Sequence, residues 1–343
     1  MKRNESVDTF RLLAIVAVII IHTAPFQFST WQGTRLLPLA LLTNQLSRFA
    51  VPLFFTLSGY FWGCRIFSGA DVMMMSISMM KRISFIFIAW SLIYLLPYNI
   101  NLIVQHGFFG SIKLAYLNFI LLIDNPLMVI FEGTKGHLWF LVSLLSSIAI
   151  SALFIANGRL KTLMACSIGF YAFGLLAKAY ADTPIGFHIG FNTRNGPFFG
   201  LLLFSSGYVL SRMKPNPEWF SKGLVLLIFG YIMHFTELYL LHAYFGTSPI
   251  QDYVAGTYFT GLGFAMMALS NPYYLRVRFF SKIGQLTLGI YAIHVIFIEN
   301  LLPIRQPASS PFLDIWFVLV VLAFSIAAVF FMSKSKALKS IVV

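Results

Sequence analysis

Three side chains in the first apolar run of the sequence, DTFRLLAIVAVIIIHTAPF, carry chemistry that lipid disfavours: Asp8, Arg11 and His22. Arg11 and His22 are eleven residues apart, about three turns of an α-helix, so both project from nearly the same face about 16 Å apart along its axis. Asp8 lies one turn before Arg11 on that face. A helix here presents a charged pair at one end and, at the other, an imidazole, the side chain that titrates near neutrality and suits proton transfer. Polar groups within a span are costly unless they face a cavity or a partner, which makes a functional stripe the leading hypothesis. The plainer alternative is an Asp8–Arg11 ion pair reaching to the interface while His22 bonds a neighbouring helix. If His22 acts as a base, its orienting partner must come from another helix, and His294, Glu299, Glu237 and Arg48 are the candidates. His234 and Glu237 share a helix face but have no further ligands in register, so they point to an interhelical hydrogen bond and no metal site is expected.

The elements that must hold these groups are membrane-spanning. The 343 residues are 59% hydrophobic, 17% aromatic and only 10% charged, with a mean hydropathy of +0.82, whereas about a quarter of the residues in soluble domains are charged. An all-α integral membrane protein follows, because runs of this length satisfy their backbone polar groups within the segment only as helices. About ten transmembrane helices are expected, over residues 8–28, 46–66, 83–104, 137–156, 163–181, 197–211, 223–241, 253–270, 283–301 and 312–332, in one domain of residues 1–343. The run LAYLNFILLIDNPLMVIF, residues 114–131, is broken by Asp124, Asn125 and Pro126 and reads as an interfacial or re-entrant piece.

With both termini cytoplasmic, sixteen lysines and arginines fall on the inner side, among them Lys2, Arg3, Arg65, Lys81, Arg82, Arg276 and Arg278, against seven on the outer side. That asymmetry accounts for the net charge of +13 as topology rather than as a nucleic-acid surface. Lys2 and Arg3 precede an apolar run, but no small-residue cleavage pattern follows it, so an uncleaved first helix is expected. Cys64 and Cys166 have no metal-type spacing and read as small packing residues. His106, His188 and His242 are expected in outer loops, and Trp31 and Trp316 in interfacial belts.

The opening DTFRLLAIVAVIIIH resembles that of the membrane acyltransferase 3 family, whose first helix carries an arginine or lysine, ten residues and then a histidine; Arg11 and His22 have that spacing. RFAVPLFFTLSGYFWG, from Arg48 to Gly63, is similar to the family's second-helix block. GHLWFL, from Gly136, and IGQLTLGIYAIHVIF, from Ile283, are similar to its His-Leu-Trp entry and its late Tyr-x-x-His helix, with Thr287 where serine is common. The resemblance runs from Asp8 to about Phe297.

It implies a bacterial inner-membrane O-acyltransferase that carries an acyl group, usually acetyl, from cytoplasmic acetyl-CoA to a hydroxyl of a glycan or lipid-linked sugar at the outer face. Under that implication Arg11 meets the CoA phosphates, with Arg65, Lys81 and Arg82 as helpers and Ser58, Gly59 and Tyr60 on the acyl-CoA side. His22 serves as general base, or as the carrier of an acyl-histidine intermediate. Asp8, Arg48, Trp139, Arg194 and His294 are the supporting or acceptor-side residues. Two other classes remain open: a transporter or flippase for a lipid-linked sugar, in which Arg11, His22 and Glu237 relay charge, and a structural membrane partner whose polar groups serve helix packing alone.

Overall fold

The first helix, α1 (Glu5–Thr23), starts where the Asn4 side chain accepts a hydrogen bond from the Val7 N–H at 3.1 Å, an N-cap that satisfies one of the free first-turn donors. It ends at Ala24, which is left-handed (φ 44°) and precedes Pro25. The expected span ran on to residue 28; proline has no N–H for the helical ladder, and the chain turns instead. The computed structural model describes residues 4–271, 277–305 and 310–342. Lys2, Arg3 and Arg276, counted above on the inner side, lie outside the described residues.

A small antiparallel hairpin, β1 (Thr30–Trp31) and β2 (Thr34–Arg35), leads into α2 (Leu37–Leu46), a 3-10 turn at Ser47–Phe49 and α3 (Ala50–Phe67). Next, α4 (Val72–Ile93) replaces the span expected over residues 83–104. Asp71 caps it by accepting the Met74 N–H at 2.7 Å, and Pro97 lies just beyond its end, so both boundaries move toward the N-terminus. The following α5 (Ile100–Ile123) bends at Gly107 (φ 69°, ψ 168°) and includes His106, which is therefore helical rather than in a loop. It is separated from α6 (Pro126–Glu132) by the Asp124–Asn125 break, so residues 114–131 are helical limbs on either side of it.

A 3-10 turn at Gly136–Leu138 opens α7 (Trp139–Ala156), and α8 (Leu160–Leu176), α9 (Pro197–Ser211), α10 (Glu218–Phe245) and α11 (Ala255–Ser270) follow. His242, expected in a loop, is in the last turn of α10. The chain ends with α12 (Arg278–Gly284), α13 (Thr287–Arg305), α14 (Pro311–Lys334) and α15 (Lys336–Val342).

The surface differs from that of a soluble bundle: large apolar side chains are exposed as well as buried in the core. On α10, Val225, Ile228, Phe229 and Ile232 form an exposed apolar stripe at the i, i+3, i+4, i+7 spacing of one helix face. On α14, Phe312, Ile315, Trp316 and Leu319 do the same. Such faces suit lipid. Among the described residues, five helical stretches are long and apolar enough to cross a membrane: α1, α4, Gly136–Ala156, α10 and α14, with α8, α9 and Thr287–Pro303 as shorter apolar helices. The protein is an almost entirely α-helical, multi-pass membrane protein.

Two helices organise the interior. The short α9 is buried along most of its length, and at its crossing with α3 the Gly59 α-carbon lies against the Phe204 backbone while Gly207 lies against the Thr56 backbone. α1 is flanked by α3, α11, α12, α13 and α14. Its C-terminal end is tied down by a buried knot. Arg305 donates to the carbonyls of Thr23 and Ala24, and its Nε donates to Asp314 Oδ1 at 2.7 Å. The other carboxylate oxygen of Asp314 accepts from the Phe26 N–H and the Ser29 hydroxyl, each at 2.6 Å. Ala24 and Phe26 both have positive φ (44° and 68°), a conformation that costs side-chain-bearing residues about 1–3 kcal/mol and persists only where surrounding contacts enforce it.

Candidate active site

One face of α1 lines two cavities. The larger, about 1130 Å³, is bounded by Val7, Asp8, Arg11 and Val18 of that helix; the smaller, about 190 Å³, by Val18, Ile21 and His22. Positions 7, 8, 11, 18 and 22 fall within about a third of the helix circumference at 100° per residue. The two cavities share four lining residues, Val18, Val51, Phe140 and Tyr291, so they abut at a neck walled by apolar and aromatic side chains. Arg11 stands at one end of this path and His22 at the other.

The larger cavity is cationic at its rim. Arg11, Arg65 and Arg82 line it, together with Ser58, Tyr60 and Trp62. Arg11 pairs with Asp8 at 3.3 Å and lies 5.2 Å from the Phe61 ring centroid. Asp8 is itself buried and accepts from the Ser281 hydroxyl at 3.3 Å. Arg82 sits midway along α4 rather than at its tip, a consequence of the earlier helix start, and its neighbour Lys81 is not among the lining residues.

Gly59 does not line the cavity: its missing side chain is what lets α3 meet α9. Gly59→Ala is expected to overpack that crossing and cost about 1–3 kcal/mol, read as a lower Tm in detergent, with no specific rise in the KM for acyl donor among molecules that remain folded.

Three histidines converge at the smaller cavity. The ring centroids of His22 and His294 are 4.9 Å apart, His137 and His294 5.3 Å, and His22 and His137 6.2 Å. Carbonyl oxygens fix the tautomers, because an oxygen can only accept. His294 Nδ1–H donates to the Tyr291 carbonyl at 2.7 Å, which leaves its Nε2 as a lone pair. His22 Nδ1–H faces both the Val18 carbonyl at 2.9 Å and His294 Nε2 at 3.3 Å. The other nitrogen of His22, Nε2, therefore keeps its lone pair for a substrate. His22 is exposed and lines the cavity, whereas His294 is fully buried behind it. His22 also occupies the last turn of α1. Tyr291 donates its hydroxyl to the His137 carbonyl, and His137 Nε2–H faces the Ala292 carbonyl at 3.3 Å, which ties α13 to the start of α7.

The smaller cavity also holds charged side chains among apolar ones such as Val18, Ile21, Val51 and Phe199. Arg48, Arg194 and Asp252 line it together with Trp139. Asp252 Oδ1 meets Arg48 at 2.9 Å, and its Oδ2 meets Lys178 at 3.0 Å and Arg194 at 3.5 Å. Burial disfavours the ionised carboxyl of Asp252, but Arg48, Arg194 and Lys178 outweigh that cost and hold it well below the usual carboxylate range. Arg194 also reaches Glu132 at 3.3 Å and lies 5.4 Å from the Trp139 ring centroid.

Of the four candidate partners for His22, only His294 touches it. Glu237 accepts the Ala255 and Gly256 N–H groups at 3.1 and 2.7 Å and the Tyr180 hydroxyl, so it caps α11. Glu299 pairs with Lys135 at 2.6 Å and accepts from Tyr98. Arg48 is committed to Asp252 and Asn44. His234 bridges Thr257 and Gln45, each at 3.0 Å. Residue types and spacing did not single out His137, Tyr291, Asp252 and Glu132 as site residues. The first two stand inside GHLWFL and GIYAIH, so their motifs were on view; the two acids sit in unremarkable surroundings, and only the fold brings them to Arg194.

A family model described as an acyltransferase domain matches residues 4–334 of the chain. Among curated proteins the chain is similar to a serine/alanine racemase of Enterococcus gallinarum, 25% identical over 308 residues, which covers 85% of this chain and 40% of that protein. It is also similar to two amino-acid racemases of Enterococcus faecalis. One is 27% identical over 310 residues, covering 85% of this chain and 40% of that protein; the other is 27% identical over 246 residues, covering 67% and 31%. The chain thus spans less than half the length of the curated relatives it matches. No solved structure matches it.

Proposed function

Because this chain belongs to the acyltransferase 3 family of membrane acyltransferases, we propose that it is an O-acyltransferase that moves an acetyl group from acetyl-CoA, entering through the larger cavity, to a hydroxyl of an envelope glycan or lipid-linked sugar held in the smaller one. Arg11, Arg65 and Arg82 meet the CoA phosphates. The thioester is carried through the neck toward His22. The acceptor hydroxyl oxygen then attacks the thioester carbonyl carbon while His22 Nε2 takes the hydroxyl proton. The C–S bond breaks and that proton passes to the departing sulfur, so the products are an ester and free CoA thiol. In this reading ten helices cross the bacterial inner membrane, both termini are cytoplasmic, and the larger cavity opens to the cytoplasm. The observation that carries the proposal is that one face of α1 lines both cavities, with a cation at one end and a free imidazole lone pair at the other.

The meeting of the two cavities also favours a second reading, passage of a solute without covalent change. The two are separated by oriented membrane vesicles given labelled acetyl-CoA on the cytoplasmic face and a demonstrated acceptor on the other, comparing the intact protein with His22→Ala at matched expression. Label in the glycan that depends on His22 is the expected result. Absence of His22-dependent label with acceptor present would move the assignment to transport.

A further inference from the structure

The walls of the smaller cavity hold more positive than negative charge. Its charged lining residues are two cations, Arg48 and Arg194, and one carboxylate, Asp252; outside the lining, Lys178 pairs with Asp252 and Glu132 with Arg194, which adds one charge of each sign. His22, the remaining titratable lining residue besides Tyr253, Tyr291 and His137, adds no negative charge. One unit of positive charge is therefore left over in a small, largely enclosed space.

The hydrogen-bonding capacity is unbalanced in the same sense. A guanidinium has five N–H donors. Arg194 directs only two at its carboxylate partners, at the long distances of 3.3 and 3.5 Å, and its Nε is buried without any partner. Arg48 directs one donor to Asp252 and two to Asn44. Both arginines line the cavity that holds His22, and the Arg194 guanidinium lies 5.4 Å from the Trp139 ring centroid. Buried donors in excess are costly unless an acceptor completes them.

We infer that the smaller cavity is an anion subsite: the acceptor bears a group with a single negative charge, a carboxylate or a phosphodiester, which Arg194 and Arg48 hold next to His22. This rests on the reading of that cavity as the acceptor site and narrows it to acidic acceptors. Arginine suits the task because its planar fork matches two oxygens at once. The anchor and the acylated hydroxyl lie on the same sugar unit or its immediate linkage, since both must fit in about 190 Å³.

The test needs no acyl donor. Binding of glucuronate, of dimethyl phosphate and of uncharged glucose to the purified full chain is measured by thermal shift and tryptophan fluorescence at constant ionic strength. At least one anion is expected to bind about tenfold or more tighter than glucose, the worth of one hydrogen bond to a charged group; glucuronate preferred assigns a sugar acid, dimethyl phosphate preferred a phosphodiester linkage. Arg194→Gln should abolish the preference, and Lys222→Gln, at an exposed ion pair that lines neither cavity, should keep it. Equal binding of all three probes by the unaltered protein overturns the inference without any variant having to fold. So does a preference kept with Arg194→Gln. Anion preference in a protein that transfers no label would leave this subsite standing and remove the transferase reading instead.

Discussion

Exchange of His22 for alanine is expected to lower kcat by about 10²–10⁴-fold, the usual worth of a general base, with little change in the KM for acetyl-CoA. The argument lies in the separation of parts along α1. Arg11 is about 16 Å away by helical rise and lines the larger cavity, while His22 lines only the smaller. Arg11→Gln should therefore raise the donor KM, and the two variants should give opposite kinetic signatures. His294→Phe is the sharper test, because it keeps a ring in the buried site while removing the nitrogen that faces His22 Nδ1 at 3.3 Å. When His22 accepts a proton, that contact becomes a hydrogen bond to a charged group, worth about 1.5–3 kcal/mol. A loss in kcat of about 10- to 150-fold follows, and His294→Gln, which retains an acceptor, should recover part of it. Steady-state kinetics in detergent or nanodiscs would check this; equal KM and kcat losses for all three variants would mean that the histidines only support the fold.

Asp314→Ala is expected to be the most damaging substitution for stability, at about 3–5 kcal/mol. Asp314 is 2% exposed. Its loss would leave the Arg305 guanidinium without a carboxylate and would strip the Phe26 N–H and the Ser29 hydroxyl of their acceptor. The knot also enforces the strained turn that follows His22 in the chain, so release of the turn should displace the imidazole. Thermal unfolding of the purified variant would show a large fall in Tm. A double variant, Arg305→Leu with Asp314→Leu, should be less destabilised than the sum of its single changes, because no buried charge is left uncompensated. Additive losses would show that the pair does not act as a unit.

The polar face of α1 is legible in the amino-acid sequence by itself, because helical periodicity is local: residues 8, 11 and 22 share a side wherever the helix is placed. The bounds of the helix at residues 197–211 are equally legible, as a short apolar run that opens at Pro197; its place in the interior is not. The start of α4 is not, since hydropathy places a span where it is highest, whereas the helix begins at the Asp71 cap. The ion network around Asp252 and the Arg305–Asp314 knot are out of reach for a different reason. Their partners come from separate helices and loops, as with Asp314 and Phe26 at a separation of 288 residues, and no periodic signal records such a meeting. Histidine choice falls between these cases: the sequence offers four partners for His22, and three-dimensional packing selects one.

The neck formed by Val18, Val51, Phe140 and Tyr291 bears on the energy economy of the cell as well as on catalysis. If the two cavities open to opposite sides of the membrane, as proposed above, a join through water would discharge it, and each elementary charge crossing a 100 mV potential dissipates about 2.3 kcal/mol. Four apolar or aromatic walls, with the Tyr291 hydroxyl already spent on the His137 carbonyl, offer water no foothold and so favour a dry plug. A slender acyl chain that displaces no ordered water can pass such a plug, whereas a hydrated proton or sodium ion would have to shed its shell. The same constriction can thus keep the membrane electrically tight between turnovers.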